Sequence, residues 1–215
     1  MKIVTIFLVT IFSLSLMAQP RKLTYLALGD SYTIGESVVE SERWPMQLIA
    51  QLKARGKSYD TPKIIATTGW RTDDLSNAIW KEDLKPGYDL VSLLIGVNNQ
   101  YQGKSVDAYK PEFEELLKTA INLAGGDKRK VFVVSIPDYG YTPFGKPKQP
   151  VITEALDRFN QANKEITEKM GVRYVNITDI SRKGFDDPQL VASDGLHPSG
   201  KQYGLWVERI VKELF

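Results

Sequence analysis

The chain has no cysteine, so disulfides, thiolate metal sites and lipid attachment through an N-terminal thiol are all excluded. It has a single histidine, His197, which makes a multi-histidine zinc site a poor prospect. It also lacks charge of one sign in excess. Its 28 lysines and arginines face 26 acids, with a net charge of +2 and no basic stripe, so nucleic acid is not an expected partner. It has no internal repeat and no low-complexity tract. At 215 residues and 42% hydrophobic composition, one well-buried core is the expectation.

Long apolar runs are confined to the N-terminus. The stretch "MKIVTIFLVTIFSLSLMAQP" has one lysine, an apolar run and then Ala-Gln-Pro, the layout of a secretory signal peptide. Residues 1–18 are read as that signal, with cleavage after Ala18, and residues 19–215 as one domain. No membrane span is expected after signal removal. Export without disulfides points to a bacterial periplasm or exterior.

From Arg21 onward, short apolar runs alternate with amphipathic segments, the pattern of βαβ units around a parallel sheet. Strands are expected near Leu23 to Leu28, Lys63 to Thr67, Leu90 to Ile95, Lys130 to Ile136 and Val172 to Val175. Helices are expected over Arg43 to Gly56, after Thr72 as N-cap, after Ser105 as N-cap, over Ile152 to Met170, and from about Ser199. The segment "PDYGYTPFGKPKQP", Pro137 to Pro150, fits neither period and reads as a long loop that is functional or mobile.

The stretch "LALGDSYTIGES" ends an apolar run abruptly in Gly29-Asp30-Ser31. Taken alone it is an ordinary turn signal. The segments after the next strands are Thr68-Gly69-Trp70-Arg71 and Gly96-Val97-Asn98-Asn99, and the last strand leads to Asp194-Gly195-Leu196-His197-Pro198. In an open parallel sheet these segments all emerge along one edge, where ligands bind.

That collection has the parts of a nucleophilic hydrolase. A serine hydroxyl needs a base, the base needs an acceptor on its other ring nitrogen, and the oxyanion needs donors. Ser31, His197 and Asp194 are the candidates for the first three roles. The Ser31 and Gly69 N–H groups and the Asn98 side-chain amide are the candidate donors. A metal held by Asp30, Asp194 and His197 is a competing reading, and a binding module without catalysis is another.

The blocks "GDSYTIG", "TTGWRTDDL", "GVNN" and "DGLHPSGKQYG" together resemble the SGNH hydrolases, also called the GDSL esterase and lipase family. The resemblance covers the chain from Leu23 to its C-terminal helix. It implies a flavodoxin-like, three-layer α/β/α sandwich around a five-stranded parallel sheet, and a serine esterase that needs no metal or cofactor. It also implies that Ser31 is the nucleophile, His197 the base, Asp194 its orienting partner, and that Ser31, Gly69 and Asn98 form the oxyanion hole. Its substrates would be ester-bearing small molecules, lipids or carbohydrates. Two departures stand out. Asn99 occupies a position that is often Asp in this family, and Thr33 breaks the Gly-x-Ser-x-Gly pattern of an α/β-hydrolase elbow. Trp70, Arg71, Tyr139, Tyr141 and Phe144 are candidate walls of a substrate pocket.

Overall fold

The computed structural model describes residues 21–215; the segment expected to be a signal peptide lies outside the described residues. The chain runs β1 (Tyr25–Gly29), α1 (Ser31–Ile34), α2 (Trp44–Ala54), β2 (Lys63–Ala66), α3 (Thr72–Lys81), β3 (Leu90–Leu94), α4 (Val97–Tyr101), α5 (Val106–Leu123), β4 (Val131–Val134), α6 (Gln149–Lys169), β5 (Arg173–Val175), α7 (Thr178–Ser181) and α8 (Gly200–Leu214). The strands form one sheet in the order β2-β1-β3-β4-β5, and every neighbouring pair is parallel. This is the doubly wound order whose ligand crevice lies outside the strand C-termini, at the switch point between β1 and β3.

Burial explains why β1 and β3 show no apolar–polar alternation, the one polar side chain being Ser92, which hydrogen-bonds the Tyr25 hydroxyl at 2.8 Å. Every residue of both strands is buried, because helices cover the sheet on both faces. Helices α2 and α8 pack together, as do α5 with α3 and with α6, so the helices form the two outer layers. Trp44 of α2 and Trp206 of α8 are fully buried. Burial of each large indole is worth about 4–6 kcal/mol before ordering entropy is subtracted.

The helix boundaries follow local chemistry. Ser105 caps α5 by accepting from the Ala108 N–H at 3.2 Å, and Ser199 caps α8 by accepting from the Gln202 N–H at 3.3 Å. Thr72 is not the N-cap of α3 but its first helical residue. Arg71 holds the cap position, and the Asp74 carboxylate accepts from its backbone N–H at 3.1 Å. The Thr72 hydroxyl is engaged elsewhere, donating to Glu112 and accepting from the Asn99 amide at 2.7 Å, while its N–H donates to Asn99 Oδ1 at 3.1 Å.

The long Pro137–Pro150 loop of the sequence reading is largely ordered turn. Residues Tyr139–Tyr141 and Lys146–Lys148 form 3₁₀ turns, and α6 begins at Gln149, before the expected Ile152. Asp138 caps the first turn by accepting from the Gly140 N–H at 2.9 Å. Pro150 falls in the first turn of α6, where a missing N–H costs nothing. Among the described residues no helix is long and apolar enough to cross a membrane.

Candidate active site

The end of β1 delivers Ser31 to the crevice. The Asp30 carboxylate accepts from the Tyr32 N–H at 3.0 Å, which starts α1 at Ser31 immediately after the strand. Gly29 is required by close approach, since a β-carbon there would collide with the Thr33 side chain and the Leu94 carbonyl. Asp30 itself is fully buried, and its second oxygen, Oδ2, has no hydrogen-bond partner. Burial raises its carboxyl to about 7, against the opposing bond from the Tyr32 N–H.

The turn before α8 delivers the imidazole. Asp194 Oδ1 accepts from the N–H groups of Leu196 at 2.9 Å and His197 at 3.0 Å, closing the turn on its own side chain. Asp194 Oδ2 lies 2.6 Å from His197 Nδ1. The ladder continues with the Ala192 N–H donating to the His197 carbonyl at 2.8 Å, and Ser199 then starts the helix. Burial pushes the Asp194 carboxyl up, but the donors from Ser37, His197 and the two backbone N–H groups outweigh it. The carboxyl is held well below the usual carboxylate range, so it is an anion at neutral pH. Tyr32 stands edge-on to the imidazole, with ring centroids 5.8 Å apart.

Ser31, Gly69, Asn98 and His197 line one cavity of about 290 Å³, at the low end for small-molecule sites. Gly69 needs its glycine because its φ is +85°, in the left-handed region. The Asn98 amide donates to the Trp70 carbonyl at 2.9 Å, which fixes the side chain beside the Gly69 turn. Asn99 is fully buried and turns the other way. Its amide donates to Thr72 Oγ1 at 2.7 Å and, more weakly, to Glu112 Oε2 at 3.4 Å. An Asp at this position would instead present a carboxylate to Glu112.

The candidate substrate residues divide. Tyr139 and Phe144 line the cavity, together with Tyr32, Thr68, Val97, Tyr101 and Leu196. Trp70, Arg71 and Tyr141 are not among its walls. Trp70 contributes its carbonyl to Asn98 while its side chain packs on the core. Arg71 is consumed by a two-pronged pair with Asp73, at 2.9 and 2.7 Å, and by Gln102 at 2.6 Å. Tyr141 packs on Phe185, with ring centroids 5.2 Å apart. Tyr101 was missed by sequence reasoning, yet it lies three residues after Asn98 in α4, one helical turn away on the same side.

Tyr101, Tyr139 and Phe144 form an aromatic trio with centroid separations of 6.2 to 6.3 Å. The Tyr139 hydroxyl donates to Gln100 at 3.0 Å, and the Phe144 N–H donates to the Gly195 carbonyl at 3.0 Å. The second bond ties the aromatic wall to the turn carrying His197. A second cavity of about 370 Å³ shares the trio and continues along Lys148, Val151 and Ile152. A larger cleft of about 1070 Å³ between the start of α5 and α6 carries mixed surface charges and none of the residues that line the 290 Å³ cavity.

Asp30 is not part of a metal-like cluster with Asp194 and His197. Its placed oxygen faces the Tyr32 N–H, whereas Asp194 and His197 pair with each other. Among the described residues no group of three or more His, Cys, Asp or Glu side chains comes together as a metal site would require.

A doubly wound parallel sheet with a serine at the end of its first strand and an Asp–His pair before its last helix defines a class of α/β hydrolases distinct from the Gly-x-Ser-x-Gly type. The family model of the GDSL-like lipase/acylhydrolases matches residues 27–205. The chain belongs to this family, whose members are hydrolases acting on ester bonds. Solved structures share the fold. The structure of TesA superposes with a TM-score of 0.67 at 16% identity, covering 89% of this chain and 97% of TesA. The lipase/acylhydrolase from Enterococcus faecalis gives 0.66 at 22% identity, covering 89% and 94% of the two chains. Axe2, an acetylxylan esterase from Geobacillus stearothermophilus, gives 0.67 at 17% identity, covering 89% and 94%. A comparison with curated protein sequences returned no match.

Proposed function

We propose that the protein is an exported serine esterase that cleaves carboxylic esters through an acyl intermediate on Ser31. The observation that carries this reading is the 2.6 Å contact between Asp194 Oδ2 and His197 Nδ1, at a cavity whose walls also include Ser31, Gly69 and Asn98. Because Asp194 engages Nδ1, the other ring nitrogen, Nε2, is the one left to take the Ser31 proton. Ser31 Oγ attacks the ester carbonyl, and His197 passes the proton to the leaving alkoxide. Water then attacks the acyl-serine, with His197 again acting as base.

The oxyanion is stabilised by the Ser31 and Gly69 N–H groups and by Asn98. The second amide hydrogen of Asn98 is available for this, since the first is directed at Trp70. Preorganisation matters here because a donor already in place does not have to be reoriented as charge develops.

The cavity walls Val97, Tyr139, Phe144 and Leu196 favour a compact apolar acyl group next to Ser31. The neighbouring cavity behind the aromatic trio extends the apolar surface for a longer chain. Among the fold neighbours, Axe2 is named an acetylxylan esterase and another structure is a lipase/acylhydrolase, which keeps both acetylated sugars and acyl lipids in the test set. Export rests on the N-terminal segment, and fractionation of cells expressing the full chain tests it.

The deciding experiment is mass spectrometry of the purified protein after incubation with a fluorophosphonate, beside Ser31→Ala and His197→Ala. One adduct on Ser31, absent from Ser31→Ala and strongly reduced in His197→Ala, is the expected result. A folded protein with no adduct would overturn the esterase reading in favour of a binding module on the same fold. A panel of p-nitrophenyl esters, acetylated xylo-oligosaccharides and lysophospholipids then ranks the substrates.

A further inference from the structure

We propose that Ser37 is a positioning residue of the hydrolytic site, whose hydroxyl fixes the Asp194 carboxylate and shares its charge with His197. This rests on the reading of Ser31, His197 and Asp194 as a triad. Three observations carry it.

The first is conformational. Among the described residues Ser37 is the one non-glycine residue with a positive φ, +65°. A residue with a β-carbon is strained in the left-handed region, where that carbon crowds the following carbonyl oxygen. Glycine would relieve that strain, so a serine at this position points to a use for its side chain.

The second is the hydrogen bond itself. Ser37 Oγ donates to Asp194 Oδ2 at 2.6 Å, the same oxygen that meets His197 Nδ1 at 2.6 Å. With the Leu196 and His197 N–H groups on Oδ1, the carboxylate accepts from four groups. That matches the roughly four lone-pair sites a carboxylate has, so its orientation is determined on every side.

The third is the neighbouring residue. Glu36 accepts a hydrogen bond from the Thr68 hydroxyl, one residue before Gly69. The N–H groups of Gly35 and Glu36 both donate to the Ser31 carbonyl at 3.0 Å, which closes the end of α1 on the residue that begins it. Adjacent side chains of one short turn therefore tie Ser31's own segment to the acid of the triad and to the loop of the oxyanion donor.

Ser37's donor withdraws negative charge from the oxygen that faces the imidazole. Without it, the carboxylate keeps only the contacts from its own turn, and the oxygen facing the imidazole is no longer held from the Ser31 segment. The other titratable and charged groups around the pair come from each packed element. They are Asp30, Tyr32 and Glu36 on the Ser31 segment, Arg43 before α2, Asp138 and Tyr139 after β4, and Tyr203 on α8. Among the described residues, Asp194 alone hydrogen-bonds the ring.

The test compares Ser37→Ala with Ser37→Gly, because both lose the hydroxyl while only glycine relieves the strained φ. The readouts are the rate of fluorophosphonate labelling of Ser31 as a function of pH, and the thermal midpoint. Both variants are expected to label about tenfold more slowly near neutral pH, with the shape of the pH profile altered as well as the rate. Ser37→Gly is expected to match or exceed the wild-type thermal midpoint despite its lost reactivity. A wild-type pH profile in both variants, or full reactivity in Ser37→Gly, would overturn the role of Ser37. Failure of the wild-type protein to label at all would instead overturn the triad reading on which the role rests.

Discussion

Asn98 of α4 donates its side-chain amide to the backbone carbonyl of Trp70, 28 residues away, at 2.9 Å. The bond joins the segments that follow β2 and β3, so the donor of one loop is held by the backbone of the other. It also separates two adjacent asparagines by role: Asn98 faces the cavity, and Asn99 is buried against Thr72.

Asn98→Ala is expected to lower kcat by about 10²- to 10³-fold with little change in KM, since in the proposed oxyanion hole the amide would act on charge that exists only in the transition state. Steady-state kinetics on p-nitrophenyl acetate checks this. A loss confined to KM would remove Asn98 from the oxyanion hole.

Asp194→Asn keeps the shape of the turn but removes the anion that faces Nδ1. A loss of turnover on the order of 10³- to 10⁴-fold is expected. Circular dichroism showing a folded variant with near wild-type turnover would reassign the acid.

Asp30 gives the protein a pH-dependent stability. Its folded carboxyl is raised to about 7, above the 3.8 of an unperturbed aspartate, so the folded state holds the proton more tightly. Stability from this group is fully present below pH 3.8 and is lost as pH rises toward 7. Asp194 is shifted in the opposite sense, and its contribution fades only as pH falls through the acid range. Asp30→Asn retains an acceptor for the Tyr32 N–H without the ionisation. Its stability relative to wild type is expected to improve between pH 5 and pH 8 by on the order of 2–3 kcal/mol, measured by urea unfolding. Parallel pH curves for the two proteins would refute this.

Asn99→Asp sets a carboxylate against Glu112 in a fully buried position and removes the amide donor to Thr72 Oγ1. A loss of about 1–3 kcal/mol in stability at neutral pH is expected, shrinking toward pH 5. An unchanged unfolding midpoint would show that the Thr72–Asn99–Glu112 cluster does not need its amide.

Phe144→Ala and Tyr101→Ala open the wall between the 290 Å³ and 370 Å³ cavities. The ratio of kcat/KM for p-nitrophenyl octanoate over acetate is expected to rise several-fold, because the longer chain gains apolar space. An unchanged ratio would place the acyl chain elsewhere.

Local chemistry made much of this protein legible from its sequence. Apolar runs at Leu26–Leu28 and, broken only by Ser92, at Leu90–Leu94 mark strands buried on both faces, and Ser105 and Ser199 declare their helices through their own side chains. The likeness of four short blocks to one family singled out Ser31, Gly69, Asn98, Asp194 and His197, four of which meet at the cavity while Asp194 holds the imidazole from behind. Side-chain direction was not legible. Trp70, Arg71 and Tyr141 stand beside site residues in sequence, but partners distant in the chain or across a turn draw them away, while Tyr101 is brought in by one turn of α4. The bond from Ser37 to Asp194 spans 157 residues. Sequence determined which residues have the chemistry, because propensity and capping act over a few positions. Only the tertiary structure decided which of them meet, because those contacts depend on how the sheet brings distant loops to one edge.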